Sequence, residues 1–308
     1  MNDQAAASYS PVMRLHLIDG TFELFRAHFS RRPGHRTPGG AEAKAVVGLA
    51  SSLWALLHDP AEAVTHAGVA FDNPIRSFRN DVFPGYKTEE GVPPELLAQF
   101  DAAEDAARSL GLVVWPMREF EADDALASAA ARFRAQVEQV RILSPDKDLG
   151  QCLVGSRVVQ VDRIRDRVID EAALRARRGI VPESVPDFLA IVGDEADGIP
   201  GLAGFGEKTA SALLGSHLHL EEIPREAARW PASVRGAAGL AATLHSDWES
   251  ALLYRRLATL VSTVPLEESL DDLRWPGIPP DRFEDWCGRL GAGRLLAAAR
   301  RRTAGEGR

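Results

Sequence analysis

Five short apolar runs, none longer than a β-strand, alternate with helix-like segments along the first half of the chain, and acids stand at or just past several of their ends. The runs are RLHLI at 14–18, HAGVAF at 66–71, LVVW at 112–115, VRILS at 140–144 and VVQV at 158–161. Runs of this length bounded by helix or turn signals predict buried strands. Between the first two, segment 41–57 sets Val46, Leu49, Ala50, Leu53, Trp54 and Leu57 at helical spacing, a core-facing stripe. The Ala-rich segment 122–137 is also helical and opens with acids that favour its positive end. Strands alternating with helices predict an α/β fold with a mainly parallel sheet covered on both faces.

In such sheets ligands bind beyond the carboxyl ends of the strands. Asp19 and Asp72 directly follow the first two predicted strands, and Asp146 lies two residues past the fourth. Glu121, Asp123 and Asp124 (FEADD), Asp148 (SPDKD), and Asp194 and Asp197 (GDEAD) complete nine acids in five clusters. Each cluster alone has a plainer reading. FEADD can cap its helix, SPDKD can form a capping turn with Lys147 as counter-charge, and Asp19 and Asp72 can accept from strand-end amides. Five clusters at strand ends and helix starts, however, share one rim as their destination. Close carboxylate pairs repel by about 4 kcal/mol at an effective dielectric of ~20. A rim of this kind calls for cations, and carboxylate oxygen suits Mg²⁺ or Mn²⁺. The pattern reads as a two-metal phosphodiester-cleaving site.

The formal net charge of −8 argues superficially against a nucleic-acid partner, but nine of the 44 acids belong to this cluster, leaving 35 against 36 Lys and Arg. The overall charge is therefore uninformative, and the distribution of the basic residues matters more. No apolar run is long enough to span a membrane, and residues 1–12 lack the basic start and apolar stretch of a signal peptide, reading as a loose tail. Cys152 and Cys287 lack CxxC spacing, so two buried thiols in a reducing cytoplasm are expected and zinc is not.

From about residue 180 the pattern becomes helical only. A helix at 184–192 leads through the Gly- and Pro-rich loop GDEADGIPGLAGFGEK into a second helix from about Glu207 to Leu214. Gly204 and Gly206 would let backbone amides approach a phosphate at the second helix's N-terminus, with Lys208 and Thr209 beside them. Glycines also mark any tight helix–helix turn, and the absence of GxxxxGK[ST] gives no support for a nucleotide P-loop. Residues 246–300 read as further helices packing back on the sheet, and 302–308 as a frayed end. The expected division is a nuclease-type domain at 13–180, with a long crossover at about 73–110, and a helical region at 181–301.

LIDGTFELFRAHF, AFDNPIRSFRNDVFPGYK, FEADDALA, ILSPDKDLGQ and GDEADGIPGLAGFGEKTA together resemble, in order and spacing, the bacterial 5′ nuclease (flap endonuclease) family. That family includes the N-terminal nuclease domain of DNA polymerase I. The similarity runs from about residue 14 to 300, and the expectation it raises is a stand-alone member with no polymerase domain. The resemblance implies a PIN-like sheet domain and a helix–three-turn–helix DNA-binding element around 184–215 that commonly holds K⁺. It implies that Asp19, Asp72, Glu121 and Asp123 hold one metal and Asp146, Asp148 and Asp194 surround the second. Asp123 would serve both, while Asp124 and Asp197 would act through metal-bound waters. Lys87 matches the lysine at the base of the family's arch, and Arg26 and Arg79 match basic positions near the substrate path. Tyr86 has two open readings, stacking on a base or packing.

The chain departs from that pattern in two places. Glu90 stands where many relatives carry arginine, with Asp81, Glu89 and Glu95 nearby, and Ala196 and Gly198 replace the usual Ser and Asn of the GDxSDN loop. The implied function is Mg²⁺-dependent cleavage of DNA at 5′ ends, 5′ flaps and nicked or branched duplexes, including RNA–DNA primers, by a monomer. A structure-specific binder with little catalysis, motivated by the acidic arch, and a PIN-like ribonuclease are the rival readings.

Overall fold

The computed structural model describes residues 12–306, so the tail read at the N-terminus lies almost wholly outside the described residues. Six strands form one sheet: β1 Arg14–Asp19, β2 His66–Asp72, β3 Val113–Met117, β4 Gln139–Leu143, β5 Val158–Asp162 and β6 Arg167–Ile169, in the order β3-β2-β1-β4-β5-β6. The first five are parallel, and β6 pairs antiparallel with β5. Every residue of β2 is buried, as its uninterrupted HAGVAF run requires. Gly68 allows the close approach of the next strand: a Cβ there would lie 2.5 Å from the Trp115 ring.

Strand alternation divides the core. Ile18, Val69 and Phe71 face the helices Lys44–Leu57, Phe100–Ser109 and Pro280–Leu290, while Leu15, Leu17 and Ile142 face the helix Ala122–Phe133 and the segment carrying Val264 and Leu266. Burial of each such side chain stabilises the fold by about 1.5–3 kcal/mol. A third cluster joins the helices Val185–Val192, Glu207–Leu214 and Trp248–Ala258, and includes Tyr86. The sheet runs outward from β1 in both directions, to β2 on one side and β4 on the other. The crevice at the carboxyl ends of β1 and β4 is thus the topological switch point, where such folds hold ligands.

Several boundaries differ from the sequence-based expectation. β3 continues through Pro116 to Met117, because the proline costs only one donor near a strand end. β6, a three-residue edge strand whose first two residues are exposed, is too short to show as an apolar run. The stretch 259–279 is extended apart from one turn at Asp271–Leu273, where helices were expected, and the last helix continues to Glu306 rather than fraying at 302. The crossover at 73–110 projects less than its length implies: Leu96, Phe100, Ala103 and Ala107 are buried in the main core, and Thr88–Gly91 is its longest run of exposed residues. Among the described residues, no helix is long and apolar enough to cross a membrane.

Candidate metal centre and active-site cleft

A cleft of about 780 Å³ opens at the switch point, lined among others by Asp19, Asp72, Asp123, Asp146, Asp194 and Asp197. Each acid is delivered by local chain geometry. Asp19 ends β1 and caps the helix Gly20–Phe29: Phe22 N donates to its Oδ1 at 2.8 Å and Ser144 Oγ to its Oδ2 at 2.9 Å. Asp72 ends β2, and its Oδ1 accepts from Ala122 N at 2.7 Å, which ties β2 to the start of the helix bearing Asp123. Past β4, Asp148 N donates to Asp146 Oδ1 at 3.0 Å, so the SPDKD turn does hold itself together. Gln160 on β5 clamps that turn from the side, donating to Ser144 O at 2.8 Å and also to Asp146 O. Ser144 and Gln160 were missed in the sequence because an uncharged side chain carries no metal-ligand signal, even where, as with Ser144, it opens the SPDKD cluster.

Among the described residues, one group of carboxylates is close enough to share an ion. Ligand oxygens of Asp148, Asp194 and Asp197 all lie within 4.8 Å of one another, and Asp148 Oδ1 is buried with no hydrogen-bond partner. An orphaned buried anion of this kind is costly without a partner. Three convergent carboxylates form the hard oxygen set that Mg²⁺ or Mn²⁺ takes, so the residues present fit a divalent cation. Here Asp197 belongs with Asp148 and Asp194, whereas the sequence grouped Asp146 with them. Lys147 Nζ pairs with Asp194 Oδ2 at 2.9 Å.

The electrostatics carry the same message. Burial pushes the Asp19 carboxyl up to about 7, with Asp72 and Asp146 adding to the rise against the hydrogen bonds from Phe22 and Ser144. Burial likewise raises Asp72, Asp123, Asp148 and Asp197, and neighbouring carboxylates add to it in each case. Glu121 is the exception. Burial alone would raise it, but Lys87 and Arg79 outweigh burial and hold it below its usual range. A folded pKa above the unfolded one means that the native state binds extra protons between about pH 4 and pH 7, so stability falls as pH rises through that window. In EDTA, the thermal midpoint should drop from about pH 5 to about pH 7.5, and excess divalent cation should restore it most at the upper end. A flat profile in EDTA would show that the carboxylates do not oppose one another.

At the rim, Lys87 Nζ pairs with Glu121 Oε2 at 2.8 Å and Asp197 Oδ1 at 3.0 Å. Its backbone N donates to Asp197 O at 3.0 Å. Gly198 makes that approach possible. It adopts φ +73°, and a Cβ there would lie 2.2 Å from Gly85 O. The missing side chain is therefore a condition of docking the 85–87 segment, not merely a lost polar contact.

Three assignments are corrected. Asp124 is fully buried and does not face the cleft: its oxygens accept from Arg79 Nη1 and Nη2 at 2.7 and 2.8 Å, from Glu121 N at 3.0 Å and from Val261 N at 2.8 Å. Arg79, 1% exposed, spends its remaining donors on Leu257 O, Thr259 O and Glu121 Oε1, so it is not available to a substrate path. Tyr86 packs in the helical core with its hydroxyl donating to Glu121 Oε2 at 3.2 Å, which takes the packing reading over stacking. Arg26 is partly exposed and bonded to Glu23 and Ser52. Gly204, Gly206 and Lys208 are exposed and Thr209 half-buried at the start of Glu207–Leu214.

The geometry so far is that of a cation-competent crevice at an α/β switch point with a helical unit behind it. The family model described as the 5′-3′ exonuclease N-terminal resolvase-like domain matches residues 14–179, and that described as the 5′-3′ exonuclease C-terminal SAM fold matches 180–281. The chain belongs to the 5′-3′ exonuclease family. It is 34% identical to DNA polymerase I of Rhizobium leguminosarum over 84% of its own length and 26% of that protein's. It is also 34% identical to DNA polymerase I of Bacillus caldotenax over 86% and 30%. The chain thus spans about a quarter to a third of the relatives it matches. In fold it is similar to a bacteriophage T5 5′-exonuclease with zinc ions bound (TM-score 0.64, 18% identity, 90% of this chain and 99% of that one). It is also similar to the catalytic core of Rad2 in complex with a DNA substrate (TM-score 0.57, 11% identity, 92% of each).

Proposed function

We propose that this chain is a structure-specific 5′ nuclease that hydrolyses DNA phosphodiesters at 5′ ends and 5′ flaps using two divalent cations, Mg²⁺ or Mn²⁺. The observation that carries this reading is the carboxylate constellation at the switch point, with Asp148, Asp194 and Asp197 converging around an unpartnered buried oxygen. Asp19, Asp72, Asp123 and Asp146 would hold the other cation, with Glu121 at its edge. When bound, such a pair supplies a nucleophilic water at neutral pH and neutralises charge on the leaving 3′ oxygen. Lys87, kept charged by Glu121 and Asp197, offsets charge on the phosphate at the rim. The amides at Gly204 and Gly206, with Lys208 and Thr209, grip duplex backbone without reading sequence. A K⁺ ion in that turn, RNA–DNA primers among the substrates, a monomeric state and a cytoplasmic setting for two free cysteines complete the proposal. A T5 flap endonuclease structure that is a pseudo-enzyme–product complex with DNA and metal ions supports DNA as the partner.

The test is cleavage of a 5′-labelled flap with Mg²⁺, Mn²⁺ or EDTA. Metal-dependent cutting near the junction is expected. Tight binding without cutting would replace the reading with a structure-specific binder, and preference for RNA would replace it with a ribonuclease.

A further inference from the structure

The cations of the cleft are unevenly employed. On the arch side Lys87 is paired with Glu121 and Asp197, and the exposed residues after it, Thr88–Gly91, include Glu89 and Glu90 and no base. At the β5–β6 edge of the cleft stand four arginines that the reaction above does not use. Arg165 and Arg167 lie on the β5–β6 hairpin, Arg177 and Arg178 in the last turn of the helix Glu171–Arg178, and all four line the same cavity as Asp146 and Asp194.

The hairpin is organised by Asp162. Its Oδ1 accepts from the backbone N of Ile164 and Arg165, each at 3.1 Å, and its Oδ2 pairs with Arg165 Nη1 at 3.0 Å and Arg167 Nη2 at 3.2 Å. One buried carboxylate thus orients two guanidiniums whose side chains stay 61% and 44% exposed, with donors to spare. Arg177 and Arg178 are less satisfied still. Among the described residues neither forms an ion pair or a hydrogen bond, and Arg178 is held by the face of Phe188, 5.3 Å from the ring centre. Arginines at a helix C-terminus also complement the macrodipole. Arg175 does that from the same turn without lining the cleft, so the dipole does not account for the placement of the other two.

We propose that Arg165, Arg167, Arg177 and Arg178 form a phosphate-binding wall at the β5–β6 edge of the cleft that positions the substrate strand beside the scissile phosphate. The proposal rests on the nuclease reading above. Adjacent guanidinium forks suit bidentate contact with phosphate oxygens. Backbone grip then comes from this wall rather than from the acidic arch. These are positioning residues, so their loss weakens capture of substrate more than the chemical step.

The test compares the full chain with the double variant Arg177→Gln/Arg178→Gln, the exposed single variant Arg177→Gln, and Arg175→Gln as control. Binding of a 5′-flap DNA is measured in EDTA over a salt series, and cleavage kinetics in Mg²⁺. For the double variant, Kd and KM should rise by roughly tenfold or more, with the slope of log affinity against log salt shallower by about two contacts at ~0.9 each. Its kcat should change by less than about threefold. Arg177→Gln should show about half the slope change, and it remains decisive should loss of the Phe188 contact unfold the double variant. Unchanged Kd and slope, a loss confined to kcat, or equal weakening by Arg175→Gln would overturn the wall. Wild-type protein that binds flaps without cutting them would instead overturn the nuclease reading, and the binding arm would still decide the wall.

Discussion

Asp123→Ala and Asp146→Ala should each lower flap cleavage by on the order of 10³-fold, about 4 kcal/mol of transition-state stabilisation, while making the metal-free protein more stable. Both signs come from one cause. Asp146 adds to the rise of Asp19, Asp123, Asp148 and Asp197 by its charge, and Asp123 is itself raised by burial and then by Asp146 and Asp19. Removing either acid relieves repulsion that cations would otherwise neutralise, so the folded state gains while the site loses its donors. Single-turnover cleavage of a labelled flap gives the first quantity, and thermal unfolding in EDTA at neutral pH gives the second. Near wild-type cleavage by either variant would remove that residue from the metal centre. Inactive variants with unchanged melting would mean that the residue acts without belonging to the repelling cluster.

The parts of this architecture that the chain displays openly are those with a strong local signature. β1, β2 and β5 were visible because short, mainly apolar runs are what a strand buried on both faces must be. Asp19, Asp72 and Asp146 could be aimed at one rim because a parallel sheet sends its strand ends the same way. What stayed hidden depends on partners distant in sequence. FEADD looks like three equivalent acids, yet Asp123 faces the cleft while Asp124, one residue on and rotated by about 100° on the helix, meets Arg79 from 45 residues away. No local pattern distinguishes an arginine reaching for DNA from one buried under a helix. The pairing of Gly198 with Gly85 O is hidden for the same reason, since a glycine shows its purpose only when the crossing segment is known.

That hidden pair carries the largest expected effect on stability. Asp124→Ala should destabilise the protein by about 3–5 kcal/mol, because it takes the two-oxygen partner from a buried Arg79 guanidinium and leaves it only the ion pair with Glu121 Oε1 at 3.2 Å. The consequence is not confined to two side chains. Arg79 binds the C-terminal end of the Trp248–Ala258 helix through Leu257 O and Thr259 O, and Asp124 holds Val261 N. The pair therefore clamps the crossover, the helix bearing Asp123 and the helical unit together. Replacing both partners with apolar residues of similar volume, Arg79→Met with Asp124→Leu, should recover much of the loss, since no charge is then left unpaired. Denaturant unfolding of the two single variants and the double variant measures this directly, and the coupling should be large and favourable. The decisive contrast is with the neighbouring acid: Asp123→Ala raises metal-free stability and Asp124→Ala lowers it. If Asp124→Ala instead left unfolding unchanged and abolished cleavage at half-saturating metal, its carboxylate would act on the cations and not on Arg79.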